Sequence, residues 1–325
     1  MIQGAKKNKY RELCEFETTI PIFSRDWWLD AVVGSDGWDV VTVESDNRIV
    51  AAHPYVISSR LGIPTTSMPP LTKFMGPWTQ PAAGKYARRL SRRFDLLAQL
   101  QEQLPEFGHY MQNWHYQHDN WLPFYWHGYQ QTTRYSYVIE NIRDTQAVWD
   151  GFLEKVKTDI RKSENRFNLR IRDDLSIDDL IDLGYLTFER QGVKANFDRQ
   201  LLHAIDQACA ARNQRMILIA EDGESRRHAG VYIVWDQDSA YYLFGGGDPK
   251  LRNSGATSHC IWHAIKSTST VTQNFDFLGS VMKPIELFFR GFGGRQKPFF
   301  TVYRTKSKLL KLDDFSDRVW RKIRR

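Results

Sequence analysis

Between Asn168 and Tyr303 the hydrophobic positions switch repeatedly between a period of two and a period near 3.6. Asn168-Leu-Arg-Ile-Arg172 alternates apolar with polar and predicts a short strand. Ser176 suits a helix N-cap, and Ile177, Leu180, Ile181, Gly184 and Phe188 then line one helical face. Asp198 caps a second predicted helix, with the face Leu201, Leu202, Ile205, Ala208 and Cys209. Strands are predicted at Met216–Ala220, Ala229–Trp235 and Ala240–Phe244. The turns Asp222-Gly223 and Asp236–Ser239 join them as antiparallel hairpins. After Gly245-Gly-Gly247 come a polar loop and a helix over Ser258–Thr270. A strand at Phe275–Leu278, a helix opened by Pro284 and a strand at Phe299–Tyr303 close the series. The order is β-α-α-β-β-β-α-β-α-β.

The first half carries a looser version of the same alternation. A helix over Asp26–Val33 leads into strands Trp38–Glu44 and Ile49–Ser58. A Gly/Pro-rich stretch, a helix over Tyr86–Leu104 and strands near Tyr110–Tyr116 and Thr132–Ile139 follow. No residue-level repeat links the halves, so any duplication rests on element order alone. The predicted division is residues 1–143, then 144–305 with a helical lead-in over 144–167, then a basic tail over 306–325.

A chain of 325 residues suits two domains rather than one core. With 42% hydrophobic and 26% charged residues, a disordered or fibrous protein is excluded. The 11 Trp concentrate in the first half and are read first as core, with sugar or base stacking as the alternative. An excess of +7 suits phosphorylated or nucleic-acid ligands without requiring them. Three Cys without a CxxC pair fit a reduced, cytoplasmic protein. The N-terminus shows no signal-peptide run, and no stretch is long and apolar enough to span a bilayer. A lipid-linked substrate would be met at the inner face of the membrane.

The chemistry-bearing stretch is Gly245-Gly-Gly-Asp-Pro-Lys-Leu-Arg-Asn-Ser-Gly-Ala-Thr-Ser258, between a strand and a helix. A glycine turn lets backbone N–H groups converge, and the helix start adds partial positive charge. Gly245, Gly246, Gly247, Arg252, Asn253, Ser254, Gly255, Ala256 and Thr257 are therefore candidate donor-binding residues, with Arg252 adding a full charge. A plain turn followed by an N-cap is the alternative. His115, His118 and Asp119 are set aside as a metal site, because strand residues three apart face opposite ways. No metal is expected.

Arg252-Asn-Ser-Gly255-Ala-Thr257 resembles the R/Q-x-x-G-x-G/A pyrophosphate motif of the GNAT acyltransferases, with Thr257 departing from the pattern. Phe275-Asp-Phe-Leu-Gly-Ser280 and Phe289-Arg-Gly-Phe-Gly293 resemble the closing motif of FemAB-type proteins, with Arg290 in the usual Lys position. Lys157–Glu164, Phe188–Gly192 and Pro69–Trp78 resemble further segments of that family. The resemblance implies a mixed α/β fold of two tandem GNAT-like domains. It implies direct acyl transfer to an amine or hydroxyl of a cell-envelope glycan or amino-sugar precursor. The donor is acyl-CoA (acetyl-CoA) or aminoacyl-tRNA. The roles carried over are Arg290 for the oxyanion and Glu189 or Asp276 as base. Lys73, Trp78, Arg161, Lys162, Tyr242 and Phe289 are substrate contacts. Backbone N–H groups at the splayed end of strand Ala240–Phe244 would share the oxyanion. Partners would be a small or lipid-linked glycan acceptor, tRNA, or the membrane surface through the basic stretches at Lys85–Arg93 and in the tail. A non-catalytic glycan- or RNA-binding module is the reading of another class.

Overall fold

The computed structural model describes residues 2–192 and 198–313. The tail residues Arg318, Arg321, Lys322, Arg324 and Arg325 lie outside them.

The chain opens with α1 (Ile2–Phe16), which the hydrophobic pattern did not predict. Its core-facing stripe is little more than Tyr10 and Cys14, too sparse to register against four lysines and arginines. Tyr10 anchors it by donating to the Ser24 carbonyl at 2.6 Å. Next come α2 (Asp26–Val33), β1 (Trp38–Ser45), β2 (Arg48–Val56), β3 (Ser58–Arg60), β4 (Ile63–Thr66) and β5 (Trp78–Thr79). These are followed by α3 (Tyr86–Gln103), β6 (His109–Asn113), α4 (Leu122–Trp126) and β7 (Gln130–Ile139). The lead-in is two helices, α5 (Thr145–Gly151) and α6 (Glu154–Asn165). The second half then runs β8 (Arg170–Arg172), α7 (Ile177–Gln191), α8 (Arg199–Ala210), β9 (Arg215–Glu221), β10 (Arg227–Trp235) and β11 (Ser239–Gly247). It ends with α9 (Ala256–Thr268), β12 (Asn274–Asp276), α10 (Lys283–Arg290) and β13 (Arg295–Thr305). The predicted β-α-α-β-β-β-α-β-α-β order of the second half is the observed one.

The described chain forms two compact units, one of residues up to 134 with those from 299 onward, the other of residues 135–298. The closing strand, expected in the second domain, thus contributes residues 299–305 to the first unit.

In the first unit, β1, β2 and β5 form one small sheet, and β3, β4, β6 and the end of β13 pair in a second. Most of the first-half tryptophans prove to be core: Trp28, Trp38 and Trp114 are fully buried, as the burial reading expected. The exceptions are Trp126, at 63% exposed, and Trp121, which is only partly buried. His115 and His118 sit in a turn after β6, not on a strand, with the His118 N–H donating to the His115 carbonyl. The strand argument applied to that pair was therefore mistaken.

In the second unit the strands lie in the order β7-β12-β11-β10-β9-β8, with β11 and β12 parallel and the other neighbours antiparallel. The core joins the inner strands to α6 and α9 through residues such as Val156, Ile160, Val231, Ile233, Cys260, Ile261 and Ile265. Each such side chain contributes roughly 1.5–3 kcal/mol through burial. Both predicted caps form. Ser176 Oγ accepts from the Asp179 N–H while Asp179 accepts from the Ser176 N–H, and Asp198 accepts from the Leu201 N–H at 2.8 Å.

Candidate functional site: the strand–turn–helix junction of the second unit

The junction is built by three local facts. First, β11 runs to Gly247, but its parallel pairing with β12 ends at Tyr241 opposite Asp276. From Tyr242 onward one edge of β11 has no strand partner among the described residues. Parallel neighbours diverge here, and an edge without a strand neighbour can take an extended ligand as a strand, although at Gly247 the N–H already donates to Thr187 Oγ1 at 3.0 Å. Second, the pairing with β10 jumps from Tyr232–Phe244 to Ile233–Tyr242, so Leu243 is the extra residue of a β-bulge. Third, a 3₁₀ turn over Arg252–Ser254 ends at Gly255, whose φ of +80° turns the chain into α9.

Gly255 is required twice over. Its left-handed conformation disfavours other residues, and a Cβ there would stand 2.0 Å from the Asp159 carbonyl oxygen of α6. The turn is thus clamped to the α6 backbone. A second clamp is His259, one turn into α9, whose Nδ1 shares a 3.0 Å hydrogen bond with the buried Ser163 Oγ. Burial holds this imidazole neutral, with its pKa lowered to about 4. Nothing in the sequence pattern singled out His259, since a lone histidine on a helix carries no spacing signal.

The amides near this turn divide into two groups. Those of Asp248, Lys250, Leu251 and Ser254 are occupied, by His228 O, Asp248 Oδ1, Asp248 O and Leu251 O respectively. Those of Gly255, Ala256, Thr257 and Ser258 meet no acceptor among the described residues. The first internal bond of the helix is His259 N–H to Gly255 O. A helix start with four unused donors and no side-chain cap is suited to an anion. Arg252 is exposed beside it and has no partner among the described residues, as does Asn253. Ser254 is buried, and its Oγ meets no hydrogen-bond partner among the described residues.

The three glycines before the turn have a different job. Gly245, Gly246 and Gly247 are the end of β11 itself, not part of a loop. A Cβ on Gly246 would come within 2.4 Å of the Leu183 and Gly184 backbone of α7, and one on Gly245 within 2.7 Å of the Gly230 carbonyl. Their lack of side chains lets α7 and β10 lie close, which is a packing role.

The expected catalytic residues lie on three different elements, α7, β12 and α10. Asp276 is fully buried and accepts from Ser136 Oγ and, at 2.7 Å, from the Leu278 N–H, so it organises the turn after β12. Glu189 is exposed on α7. Arg290 is half-exposed on α10 and its Nε lies 3.4 Å from Glu286 on the same helix. No ion pair or hydrogen bond joins any two of the three. Of the substrate contacts, Tyr242 and Phe289 do meet, ring to ring at 5.7 Å. Burial raises the Tyr242 phenol well above its usual range, so it stays protonated. Arg161 is paired with Glu154 at 2.8 Å, and Lys162 sits over the Phe167 ring. In the first unit, Lys73 lies over the Phe299 ring. Trp78 is buried and donates to Thr19 Oγ1 at 2.8 Å.

Residues 152–283 match the family model described as an acetyltransferase (GNAT) domain, a span that includes the bulge, the turn and α9. No curated protein matches the chain in sequence. Among solved structures, FemX superposes with a TM-score of 0.67 at 10% identity, covering 90% of this chain and 95% of that one. The C-terminal domain of an Agrobacterium fabrum protein assigned as a lysylphosphatidylglycerol synthetase gives 0.56 at 10% identity, covering 95% and 96%. L-PGS from Bacillus licheniformis gives 0.51 at 11% identity, covering 87% and 89%. The expected fold is thus the observed one, and the splayed strand and open helix start lie within the matched domain. Residues 152–283 thus carry the likeness to a GNAT acetyltransferase domain, and the chain as a whole has the mixed α/β fold seen in FemX.

Proposed function

We propose that the chain transfers an acyl group, acetyl in the simplest case, from an acyl-CoA to an amine or hydroxyl of a cell-envelope glycan or amino-sugar precursor. The observation that carries the donor half is the set of four unused amides at Gly255–Ser258, with Arg252 beside them. A pyrophosphate is the fragment of coenzyme A that such a cradle suits. The unpaired edge of β11 then offers backbone groups to the amide-bearing arm of the donor. The backbone N–H groups around the Leu243 bulge are the candidate oxyanion donors. Acyl transfer of this kind needs positioning and charge stabilisation rather than a nucleophilic side chain. The acceptor class rests on the resemblance to FemAB-type proteins.

Titration with coenzyme A and acetyl-CoA tests the donor. Ligand at a hundred times its Kd would add about 2.7 kcal/mol of stability. Arg252→Gln should weaken binding by roughly threefold to tenfold, as loss of an exposed charge-assisted contact does. Unchanged affinity in that variant would remove Arg252 from the site. Acetyl transfer to glucosamine-type acceptors then reads the second half of the reaction.

A second reading, aminoacyl transfer from aminoacyl-tRNA, is supported by the fold shared with the protein assigned as a lysylphosphatidylglycerol synthetase, together with the +7 charge. No response to coenzyme A combined with turnover of aminoacyl-tRNA would select it.

A further inference from the structure

The first unit holds a cavity of about 440 Å³ beneath the opening turns of α3, walled on the other side by the segment Thr79–Ala82. Four α3 side chains that matter line it: Tyr86, Arg89, Arg92 and Arg93. Among the described residues of its lining the only acidic group is Asp119, and it is already bonded to Arg93 at 2.7 Å. Arg89 and Arg92 have no ion pair or hydrogen-bonding side-chain partner among the described residues. A cavity of this size suits a small ligand rather than a flat macromolecular contact. Two uncompensated guanidinium groups facing one space repel each other, and a multiply charged anion bridging them removes that repulsion. Guanidinium forks match phosphate oxygens in pairs, which ammonium groups do not.

A second cavity, of about 160 Å³, shares Thr79, Pro81 and Arg93 with the first. Its walls include Met75, Trp78 and His118, and burial keeps the His118 imidazole neutral. The charged space therefore adjoins a smaller one of mixed lining, apolar at Met75, Pro77 and Trp78 and polar at Thr19, Ser24 and Gln117.

We infer that this pair of cavities is a binding site for a small phosphorylated molecule, with its phosphate or pyrophosphate between Arg89 and Arg92 and its uncharged part against Trp78 and Met75. The inference does not depend on the transfer reaction proposed above. The site lies wholly within the first unit, and its test needs no donor and no turnover.

The test is calorimetric titration of the full chain at about 0.15 M salt, where long-range surface charge is screened. The probes are inorganic pyrophosphate, glucose 1-phosphate, phosphatidylglycerol vesicles and a short single-stranded RNA. The variants are Arg89→Gln, Arg92→Gln and, as a control of equal charge, Arg88→Gln, an exposed α3 residue outside the lining. Saturable binding of pyrophosphate or glucose 1-phosphate is expected, weakened roughly tenfold by either lining substitution and unchanged by Arg88→Gln. Thermal melts of the three variants confirm folding. Absence of saturable binding by both small phosphates overturns the inference. Equal loss in Arg88→Gln, or binding confined to vesicles or to RNA, overturns it as well.

Discussion

At the scale of single residues, the second unit separates glycines by what they make room for. Gly246 lies against the α7 backbone, whereas a Cβ on Gly184, inside α7, would make only an ordinary 3.9 Å contact with Phe244. Gly184→Ala should therefore stabilise the protein by about 0.5–1 kcal/mol through helix propensity. Gly246→Ala and Gly255→Ala should each destabilise it by roughly 2 kcal/mol or more. Urea denaturation distinguishes the two signs, and a Gly184→Ala protein less stable than wild type would contradict the packing described. Titration of buried imidazoles is legible at the same scale. His53 is fully buried against Gln112, and burial lowers its pKa from 6.5 to about 4. Below pH 6.5 the unfolded chain takes up this proton while the folded chain does not, so stability falls with pH until about 4. His53 alone removes about 2 kcal/mol between pH 7.5 and pH 5. His53→Gln should flatten that part of the stability–pH profile, and a profile as steep as wild type would refute the assignment.

At the scale of elements, the helix starts show which local signals hold. The Ser176 capping box and the Asp198 cap were legible because a short side-chain acceptor precedes a helical stripe. Ser176→Ala should cost about 1 kcal/mol, measured as a shift in the urea midpoint at constant m-value. The start of α9 is the opposite case: it carries no capping side chain, and its amides stay open. The sequence places the Gly245–Ser258 stretch wholly between a strand and a helix, but strand β11 extends through Gly245–Gly247. Glycine composition cannot separate a flexible turn from a strand that must touch a helix, because both need the same missing Cβ. The sparse stripe of α1 escaped notice for a related reason: two buried residues in fifteen positions do not make a period.

At the scale of the whole molecule, the excess of +7 charges favours encounter with polyanionic ligands. Association with a phosphorylated donor or acceptor should slow several-fold between 0.05 and 0.3 M salt, with dissociation changed less. Stopped-flow measurement of both rate constants checks this, and a salt-independent association rate would exclude electrostatic steering. Among the described residues, no helix is long and apolar enough to cross a membrane. Any contact with a lipid-linked acceptor would then run through exposed side chains, such as those of α3 and α4.

Hydrophobic period, caps and turn residues determined the elements, their order in the second half and the position of the turn that precedes α9. Each is a local property of ten to twenty residues. Only the folded chain decided that Asp276 is buried under Ser136, that the β11 edge opens past Tyr241, and that Ser163 and His259 brace α6 against α9. It also decided that the exposed Arg89 and Arg92 line one cavity while the equally exposed Arg88 does not. Those outcomes depend on which distant backbone comes to lie opposite a given side chain, and periodicity along one strand or helix holds no record of its neighbour.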